Sequence, residues 1–407
     1  MSTVVPGRPL RLTNRVQRYD WGSTDAIPTL LGVEPDGSPW AELWLGAHES
    51  APSSVIIDDE PVSLPELIRN DPIGTLGRRI AADFGPRLPY LFKVLAAGRA
   101  LSLQVHPKPH LAREGYNAEN AAGIPLDAPS RSFLDDKHKP EMVIALTRFE
   151  GLGGFRSPRS ILAILDGLDG ELVGAVRDLL TRSRSEASIR GAFRLLLAAR
   201  HSSATGDDIA VTVASISRKV ASPMPHADAY QTVIDLTDQH PGDPGALASM
   251  MLNRVTLNPG EGLFIPSGEV HAYLSGLAIE VMASSDNVLR AGLTTKPVDE
   301  EALIRCSSFT PRPPARPAGA PSADGMATHY RAPVDEFAVT IVRVGDGRQA
   351  RLPDAGPRIV LALDGTVELE TEGGWAALAK GESVFVPDSA GPVKASGLGS
   401  LACAWVP

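Results

Sequence analysis

The chain has 407 residues, more than one domain of about 100–200 residues accounts for, so we expect two or three domains. Hydrophobic residues make up 43% of the chain and charged residues 21%, which is the balance of a folded globular protein. The formal net charge of -9 argues against a nucleic acid or an acidic membrane as partner, because both require a basic surface. An anionic small molecule would have to be held by a few local cations.

The two cysteines, Cys306 and Cys403, lie far apart and outside any CxxC spacing, so we expect reduced thiols rather than a disulfide framework. The N-terminal residues lack a basic region followed by an apolar run. No stretch reaches the roughly 18 apolar residues of a membrane span. The sequence therefore predicts a cytoplasmic protein with no membrane partner.

Residues 10–155 contain short apolar segments such as SSVIID and LPYLFKVLAAG, which are separated by Gly and Pro and predict strands. The pattern changes after Ser157, where SPRSILAILDGL, GELVGAVRDLLTRSRS, ASIRGAFRLLLAARH and DIAVTVASISRKVA carry apolar residues at helical spacing. Ser157 and Pro158 suit the first positions of a helix. We predict a helical insert over residues 157–252.

Strand character returns after the insert, so residues 1–156 and 253–310 are predicted to form one discontinuous barrel domain. Residues 311–334 are rich in Pro and Ala and predict a linker or crossing segment. Residues 335–407 alternate and turn like a second, C-terminal barrel. The predicted fold class is mainly β, with two cupin-like (jelly-roll) barrels and an α-helical domain.

A repeated motif supports this division. Gly260, Pro266, Gly268 and His271 have the spacing of the second cupin motif, in which a strand, a tight turn and a strand present a His at a barrel mouth. Gly381 and Pro387 repeat the first two positions, but Ser389 replaces the second Gly and Pro392 stands in place of the His. The C-terminal barrel is therefore predicted to lack metal ligands.

Several polar residues stand beside apolar strands. Gln104 and His106 are two apart in LSLQVHP and would face the same side of a strand. Glu141 opens an apolar strand after the charged segment FLDDKHKP, and His271 closes the cupin motif. Each residue alone is more often structural, but two His, one Glu and one Gln oxygen together form a donor set suited to zinc.

Cationic residues could serve an anionic substrate. Lys93 lies within the apolar run YLFKVLAA, where an unpaired charge is costly unless it points to a cleft. Arg290 lies in the polar segment after the strand that carries Glu280, and Ser102 and Lys296 are further candidates, although each could be an ordinary surface residue.

At these residues the sequence resembles the type I phosphomannose isomerase family over nearly its whole length. The matching segments are YDWG from Tyr19, AELWLGAH from Ala41, LPYLFKVL from Leu88, LSLQVHP from Leu101, HKPEM from His138, PSGEVHAYLSG from Pro266 and SDNVLRAGLT from Ser285. Two departures occur before HKPE, where Phe133 replaces the usual Tyr and Lys137 the usual Asn.

The resemblance implies an aldose–ketose isomerase that interconverts mannose 6-phosphate and fructose 6-phosphate through an enediolate. It places one zinc ion per chain on Gln104, His106, Glu141 and His271, and an active-site arginine on Arg290. The candidates for the proton carrier are Glu280, His138 and His48, with Lys139 as a possible helper. The candidates for binding the substrate and its phosphate are Lys93, Ser102, Lys296 and Trp21. The expected partner is a small sugar phosphate, and we expect a monomer.

Two other readings of the residues stay open. Two His and a Glu on a cupin could hold iron and activate oxygen, although the added Gln and the cationic residues argue against an oxygenase. The chain could also be a non-catalytic sugar-phosphate sensor that kept the fold, which the full ligand set and Arg290 argue against. Oxygen consumption and turnover of mannose 6-phosphate would separate these alternatives.

Overall fold

The computed structural model describes residues 5–220 and 225–407. The predicted first barrel and the predicted helical insert therefore each include residues outside this description, namely 1–4 and 221–224. Within the described ranges, no helix combines the length and the apolar character needed to cross a membrane.

The first part of the chain consists mainly of strands, with short helices between them. Its elements are β1 (Leu10–Arg11), β2 (Arg15–Gln17), α1 (Ala26–Leu31), β3 (Glu42–Leu45), β4 (Ser54–Ile57), β5 (Glu60–Ser63), α2 (Leu64–Asn70), α3 (Pro72–Leu76), α4 (Arg78–Phe84), β6 (Tyr90–Ala97), β7 (Leu103–Val105), α5 (Pro109–Ala121), β8 (Glu141–Ala145) and β9 (Phe149–Phe155).

Helices then follow one another: α6 (Pro158–Leu165), α7 (Glu171–Arg182), α8 (Glu186–Ala199), α9 (Thr205–Val220), α10 (Ala227–Gln239) and α11 (Gly245–Ala248), with a 3-10 turn at Ser249–Met251. Ser157 caps α6 by accepting a hydrogen bond from the Ser160 backbone N–H, and Pro158 takes the first helical position, as predicted. The apolar faces of these helices pack into one buried cluster that includes Ile161, Phe193 and Val233.

The chain then returns to strands: β10 (Leu252–Leu257), β11 (Gly262–Ile265), β12 (His271–Ala283) and β13 (Leu289–Gly292), followed by α12 (Glu300–Cys306). β10 pairs antiparallel with β9, so that Leu252 lies opposite Phe155. The chain therefore leaves the sheet for the helices and re-enters it at adjacent strands, so the helices form an insert in the sheet. This ten-stranded sheet follows the order β10-β9-β12-β6-β3-β2, with β7, β8, β11 and β13 paired alongside.

The last part of the chain supplies eight strands of a nine-stranded sheet, and β1 is the ninth. Its elements are β14 (Ala320–Pro321), β15 (Ala327–Arg331), β16 (Ala338–Val344), β17 (Ala350–Arg351), β18 (Arg358–Thr371), β19 (Gly374–Ala379), β20 (Ser383–Val386), a 3-10 turn at Asp388–Ala390, and β21 (Lys394–Trp405). β14 and β15 lie in the range predicted as a linker, yet β14 pairs antiparallel with β15 and β15 with β16 in this sheet. β1 also pairs with β20, which joins the start of the described chain to the C-terminal sheet.

The two sheets pack against each other through one shared apolar cluster, in which Phe92 and Ile279 meet Ile359 and Phe385. The mainly β architecture with a helical insert agrees with the predicted fold class. The repeated cupin motif is visible in the backbone as well. Gly260 and Gly381 precede β11 and β20 and have φ values of 88° and 85°, a left-handed conformation that favours glycine.

Candidate metal centre and active site

Strand alternation places three charged side chains on one face of the ten-stranded sheet. Val94 on β6 and Ile279 on β12 pack toward the C-terminal sheet, so the residues next to them, Lys93 and Glu280, point to the opposite face. Lys93 and Glu280 lie directly opposite each other across β6 and β12. Glu141 joins them because it lies opposite Met282, two residues beyond Glu280 on β12.

The short strand β7 brings a second group to this site. Gln104 lies opposite His271 on β12 and opposite Arg290 on β13. His106 follows two residues later and is almost fully buried. Segments separated by more than 160 residues therefore meet around Gln104.

His106, Glu141 and His271 form a group whose ligand atoms all lie within 4.8 Å of one another. His106 Nε2 is 3.1 Å from Glu141 Oε1, and His271 Nε2 is 3.3 Å from Glu141 Oε2. A tetrahedral zinc site with bonds of about 2.0–2.1 Å separates its ligand atoms by about 3.3 Å. Within residues 5–220 and 225–407, this is the only such group of three His, Cys, Asp or Glu side chains.

Both histidines are held by their other ring nitrogen. His106 Nδ1 donates to the Asn287 carbonyl at 2.6 Å, and His271 Nδ1 donates to the Glu269 carbonyl at 3.0 Å. These bonds fix the tautomer that leaves each Nε2 free to bind a metal. His106 Nε2 is buried and makes no hydrogen bond within the described chain, although Glu141 is close. Such an orphaned nitrogen fits a ligand whose partner is a metal ion.

The Gln104 side chain lies beside this group. Its amide nitrogen is placed 3.3 Å from His271 Nε2. Rotating the Gln104 amide by a half-turn exchanges its nitrogen and oxygen. In that orientation Oε1 faces the point that the histidines and Glu141 surround. Two nitrogens and two oxygens in this arrangement suit zinc.

Burial and charge set the protonation of the group. Burial lowers the pKa of His106 to about 4, which keeps it neutral. Burial raises the pKa of Glu141, but His106 and Lys139 lower it further, so the carboxyl stays ionised. Burial lowers the pKa of His271, yet the hydrogen bond with Glu141 outweighs this and raises it.

Lys93 lies between two buried carboxylates. Its Nζ is 3.3 Å from both Glu42 Oε1 and Glu280 Oε2. Burial lowers the pKa of Lys93, but the two carboxylates raise it by more, so it stays charged. This pairing satisfies the Lys93 charge inside the sheet. Burial raises the pKa of Glu280 to about 7, although Lys93 opposes the shift.

Arg290 is a half-buried cation without a carboxylate partner in the described chain. Burial lowers its pKa, which records the cost of the unpaired charge. The exposed Lys296 is close enough for the Arg290 charge to be the largest cause of its lowered pKa. The structure thus brings two cations together beside Gln104.

The remaining candidates are placed as follows. Ser102 is half-buried directly before β7. The Trp21 ring packs against the apolar cluster that contains Leu101, and lies 5.7 Å from the Tyr19 ring. Lys139 Nζ is 3.4 Å from Glu141 Oε1 and therefore belongs to the metal group.

His48 and His138 each pair with a carboxylate rather than with the metal group. His48 Nε2 is 3.1 Å from Asp286 Oδ1, and His138 Nε2 is 2.6 Å from Glu336 Oε1. Burial raises the pKa of Asp286, but its hydrogen bond with His48 lowers it by more. Both carboxylates are therefore ionised partners of these histidines.

Comparison with known proteins agrees with this geometry. The catalytic-domain family of type I phosphomannose isomerases matches residues 10–158, and the mannose-6-phosphate isomerase cupin domain matches residues 326–406. The mannose-6-phosphate isomerase of Salmonella typhimurium is 36% identical over 394 residues, covering 96% of this chain and 98% of that protein. The chain belongs to the type I phosphomannose isomerase family.

Further relatives show how widely this family extends. Mannose-6-phosphate isomerase 1 of Arabidopsis thaliana is 34% identical and covers 93% of this chain and 89% of its own length. A crystal structure of a zinc-bound mannose 6-phosphate isomerase aligns with a TM-score of 0.87 at 35% identity, covering 98% of this chain and 99% of that one. The predicted membership of the family is confirmed.

The sequence reasoning did not single out four residues of this site. Glu42 pairs with Lys93, Asp286 pairs with His48, and the Tyr273 hydroxyl lies 3.5 Å from Glu141 Oε2. Asn287 is fully buried, and its amide bonds the backbone of residues 134, 135 and 137 while its carbonyl orients His106. The polar run SSDN directly after strand β12 is the sequence feature that points to Asp286 and Asn287.

The two departures from the family pattern lie beside this network. Phe133 is buried in the apolar cluster of the helical insert, with its ring against Gly115 of α5. Lys137 is half-buried, and its carbonyl accepts a hydrogen bond from Asn287 Nδ2 at 2.8 Å. Because that bond uses the backbone, the side chain at position 137 can vary without changing it.

Proposed function

We propose that this chain interconverts mannose 6-phosphate and fructose 6-phosphate, with one zinc ion held by Gln104, His106, Glu141 and His271. The observation that carries the proposal is the unneutralised Arg290 beside the ligand Gln104 on adjacent strands. A half-buried cation next to a metal site is costly unless an anionic substrate uses it. The relatives that cover nearly the whole chain bear the name of this activity.

The reaction moves a proton between C1 and C2 of the sugar, and negative charge develops on the two neighbouring oxygens. Zinc, when bound, polarises these oxygens and stabilises that charge. Arg290 supplies a fixed positive charge on the same side, in a half-buried position where its effect is larger than in water. In this proposal, the metal ligands and Arg290 together serve to stabilise an enediolate intermediate.

We assign the proton transfer to Glu280 among the candidates. Its carboxyl is buried on the face that carries Glu141, and burial raises its pKa to about 7, so it can both accept and return a proton near neutral pH. Lys93 holds this carboxylate in place at 3.3 Å. His138 and His48 instead direct their Nε2 atoms to Glu336 and Asp286, which do not belong to the metal group.

We assign the phosphate to Lys296 and Ser102, with Trp21 packing nearby against the sugar. Lys296 is exposed and close to Arg290, so it can meet a dianion that enters from solvent. Binding energy from this remote group can then hold the sugar in a reactive pose.

We also propose that the enzyme acts as a monomer in the cytoplasm and serves GDP-mannose synthesis. Cys306 and Cys403 are both free and buried, as suits a protein from a reducing compartment.

The test is a coupled assay for fructose 6-phosphate formed from mannose 6-phosphate, together with metal analysis of the same sample. We expect turnover that scales with zinc content. The Glu141→Gln variant should lose zinc and turnover together, while Glu382→Gln, a change on the C-terminal sheet, should keep both. Zinc-loaded protein that forms no fructose 6-phosphate would refute the proposal, and oxygen uptake during the assay would favour an oxygenase instead.

A further inference from the structure

A loop of the C-terminal sheet reaches the segment that leads into the metal site. Glu336 lies between β15 and β16, and the next residue, Phe337, is fully buried in the apolar contact between the two sheets. Glu336 Oε1 lies 2.6 Å from His138 Nε2, and the two side chains are only 17% and 27% exposed. A mostly buried hydrogen bond therefore connects the C-terminal sheet to the HKPE segment.

The HKPE segment has few other anchors at this point. The carbonyl of Lys137 accepts a bond from Asn287, and the carbonyl of Pro140 accepts one from the Ala283 N–H. Between these two anchors, the backbone N–H and carbonyl groups of His138 and Lys139 form no hydrogen bond within the described chain. Side chains therefore hold this two-residue stretch, and the His138 ring makes its contact with the C-terminal sheet.

Successive side chains of an extended segment point to opposite sides. The His138 ring points to Glu336, and the Lys139 side chain reaches Glu141 Oε1 at 3.4 Å. The contact of the His138 ring with Glu336 restrains the backbone to which the Lys139 side chain is attached, and Lys139 contacts a proposed zinc ligand. A change at Glu336 should therefore alter the position of Lys139 at the metal site.

The pair lies at the edge of a cavity. A cavity of about 260 Å³ flanks it and is lined by Arg87, Arg113 and Lys137 together with Asp136. Burial raises the pKa of Glu336, but its hydrogen bond with His138 lowers it by more, so the carboxylate is ionised. A charged acceptor makes a stronger hydrogen bond than a neutral one.

We propose that Glu336 is a positioning residue for the isomerisation: it holds His138, and through the backbone Lys139, so that the C-terminal sheet takes part in catalysis. This inference rests on the proposed function. It also gives the C-terminal sheet a task, although the ligand position of its own cupin motif is occupied by Pro392.

The experiment compares Glu336→Ala and Glu336→Gln with the intact chain, all loaded with zinc. We expect Glu336→Ala to lower kcat by about 10–100-fold, as small misplacements of catalytic groups do, with KM nearly unchanged. Glu336→Gln keeps the shape and loses the charge, so its kcat should lie between the two. Zinc content and the thermal midpoint should stay at the wild-type values, which separates positioning from a loss of folding.

The matched control is Glu382→Ala, which removes a carboxylate that pairs with Arg11 on the same sheet, far along the chain from Glu336. This control should keep the wild-type kcat. His138→Ala combined with Glu336→Ala should be no slower than His138→Ala alone, because both changes break one contact.

Wild-type kcat in both Glu336 variants would overturn the positioning role, and so would a double variant whose loss is the product of the single losses. A parallel fall of zinc content and thermal midpoint in Glu336→Gln would also overturn it in favour of a structural role. An intact chain that does not turn over mannose 6-phosphate would instead refute the proposed function, and the two failures are therefore distinguishable.

Discussion

Replacing Arg290 tests the proposed chemistry most directly, because no carboxylate in the described chain forms a salt bridge with it that the substitution would also break. No carboxylate lies within 4.0 Å of its guanidinium in the described chain, so Arg290→Gln leaves no unpaired anion behind. Burial lowers the Arg290 pKa, which means that folding disfavours its charge. The free energy of unfolding of the variant should therefore stay the same or rise slightly.

The effect on turnover should be large. A unit charge about 4 Å from a developing oxyanion is worth about 4 kcal/mol at the effective dielectric of a protein surface. Loss of one preorganised oxyanion donor costs about 10²–10³ in kcat, or about 2.7–4 kcal/mol, which agrees. Arg290→Lys should recover only part of the rate, because a point charge on a flexible stem does not reproduce the planar fork.

The assay is steady-state kinetics with mannose 6-phosphate, accompanied by zinc analysis and chemical denaturation of each variant. Zinc content and unfolding free energy serve as controls and should match those of the intact chain. A variant in which only KM rises while kcat is unchanged would show that Arg290 anchors the substrate, and the charge-stabilisation argument would then be wrong.

Three further predictions concern the metal and its surroundings. A strong chelator should abolish turnover, and added zinc should restore it at one ion per chain. Residues 335–407 should bind no zinc, because Pro392 replaces the cupin His, and a second bound zinc per chain in metal analysis would contradict this. Asn287→Ala should weaken zinc binding about 10–100-fold, since it loosens the segment that orients His106, and competitive zinc titration measures the change. Lys93→Met should destabilise the fold by about 3–5 kcal/mol, because Glu42 and Glu280 are left as unpaired buried charges; denaturation with an unchanged midpoint would show that the pairing matters little.

The sequence by itself predicted most of the elements and a candidate set of metal donors, of which His106, Glu141 and His271 lie together in the structure. Apolar periodicity separated strands from the helices after Ser157, because the two periods differ and the Ser-Pro pair marks a helix start. The spacing of Gln104 and His106 predicted both on one side, and in the structure both side chains lie beside His271. The cupin spacing around His271 needed only local turn geometry, with Gly268 at a φ of 91°.

Tertiary structure alone decided which charges meet. Lys93 could point to a phosphate or to carboxylates, and only the register of β6 with β3 and β12 set Glu42 and Glu280 around it. Strands that the sequence placed in a linker joined the C-terminal sheet, because strand pairing depends on neighbours distant along the chain.

The bond between Glu336 and His138 shows the same limit most clearly, since it joins residues 198 positions apart. A local pattern reports the face on which a side chain lies, because the period of a strand or helix is a short-range property of the backbone. The partner on that face depends on sheet register and on the packing of two sheets. Register and packing are set by burial of the whole apolar core, so no single segment of the sequence determines them.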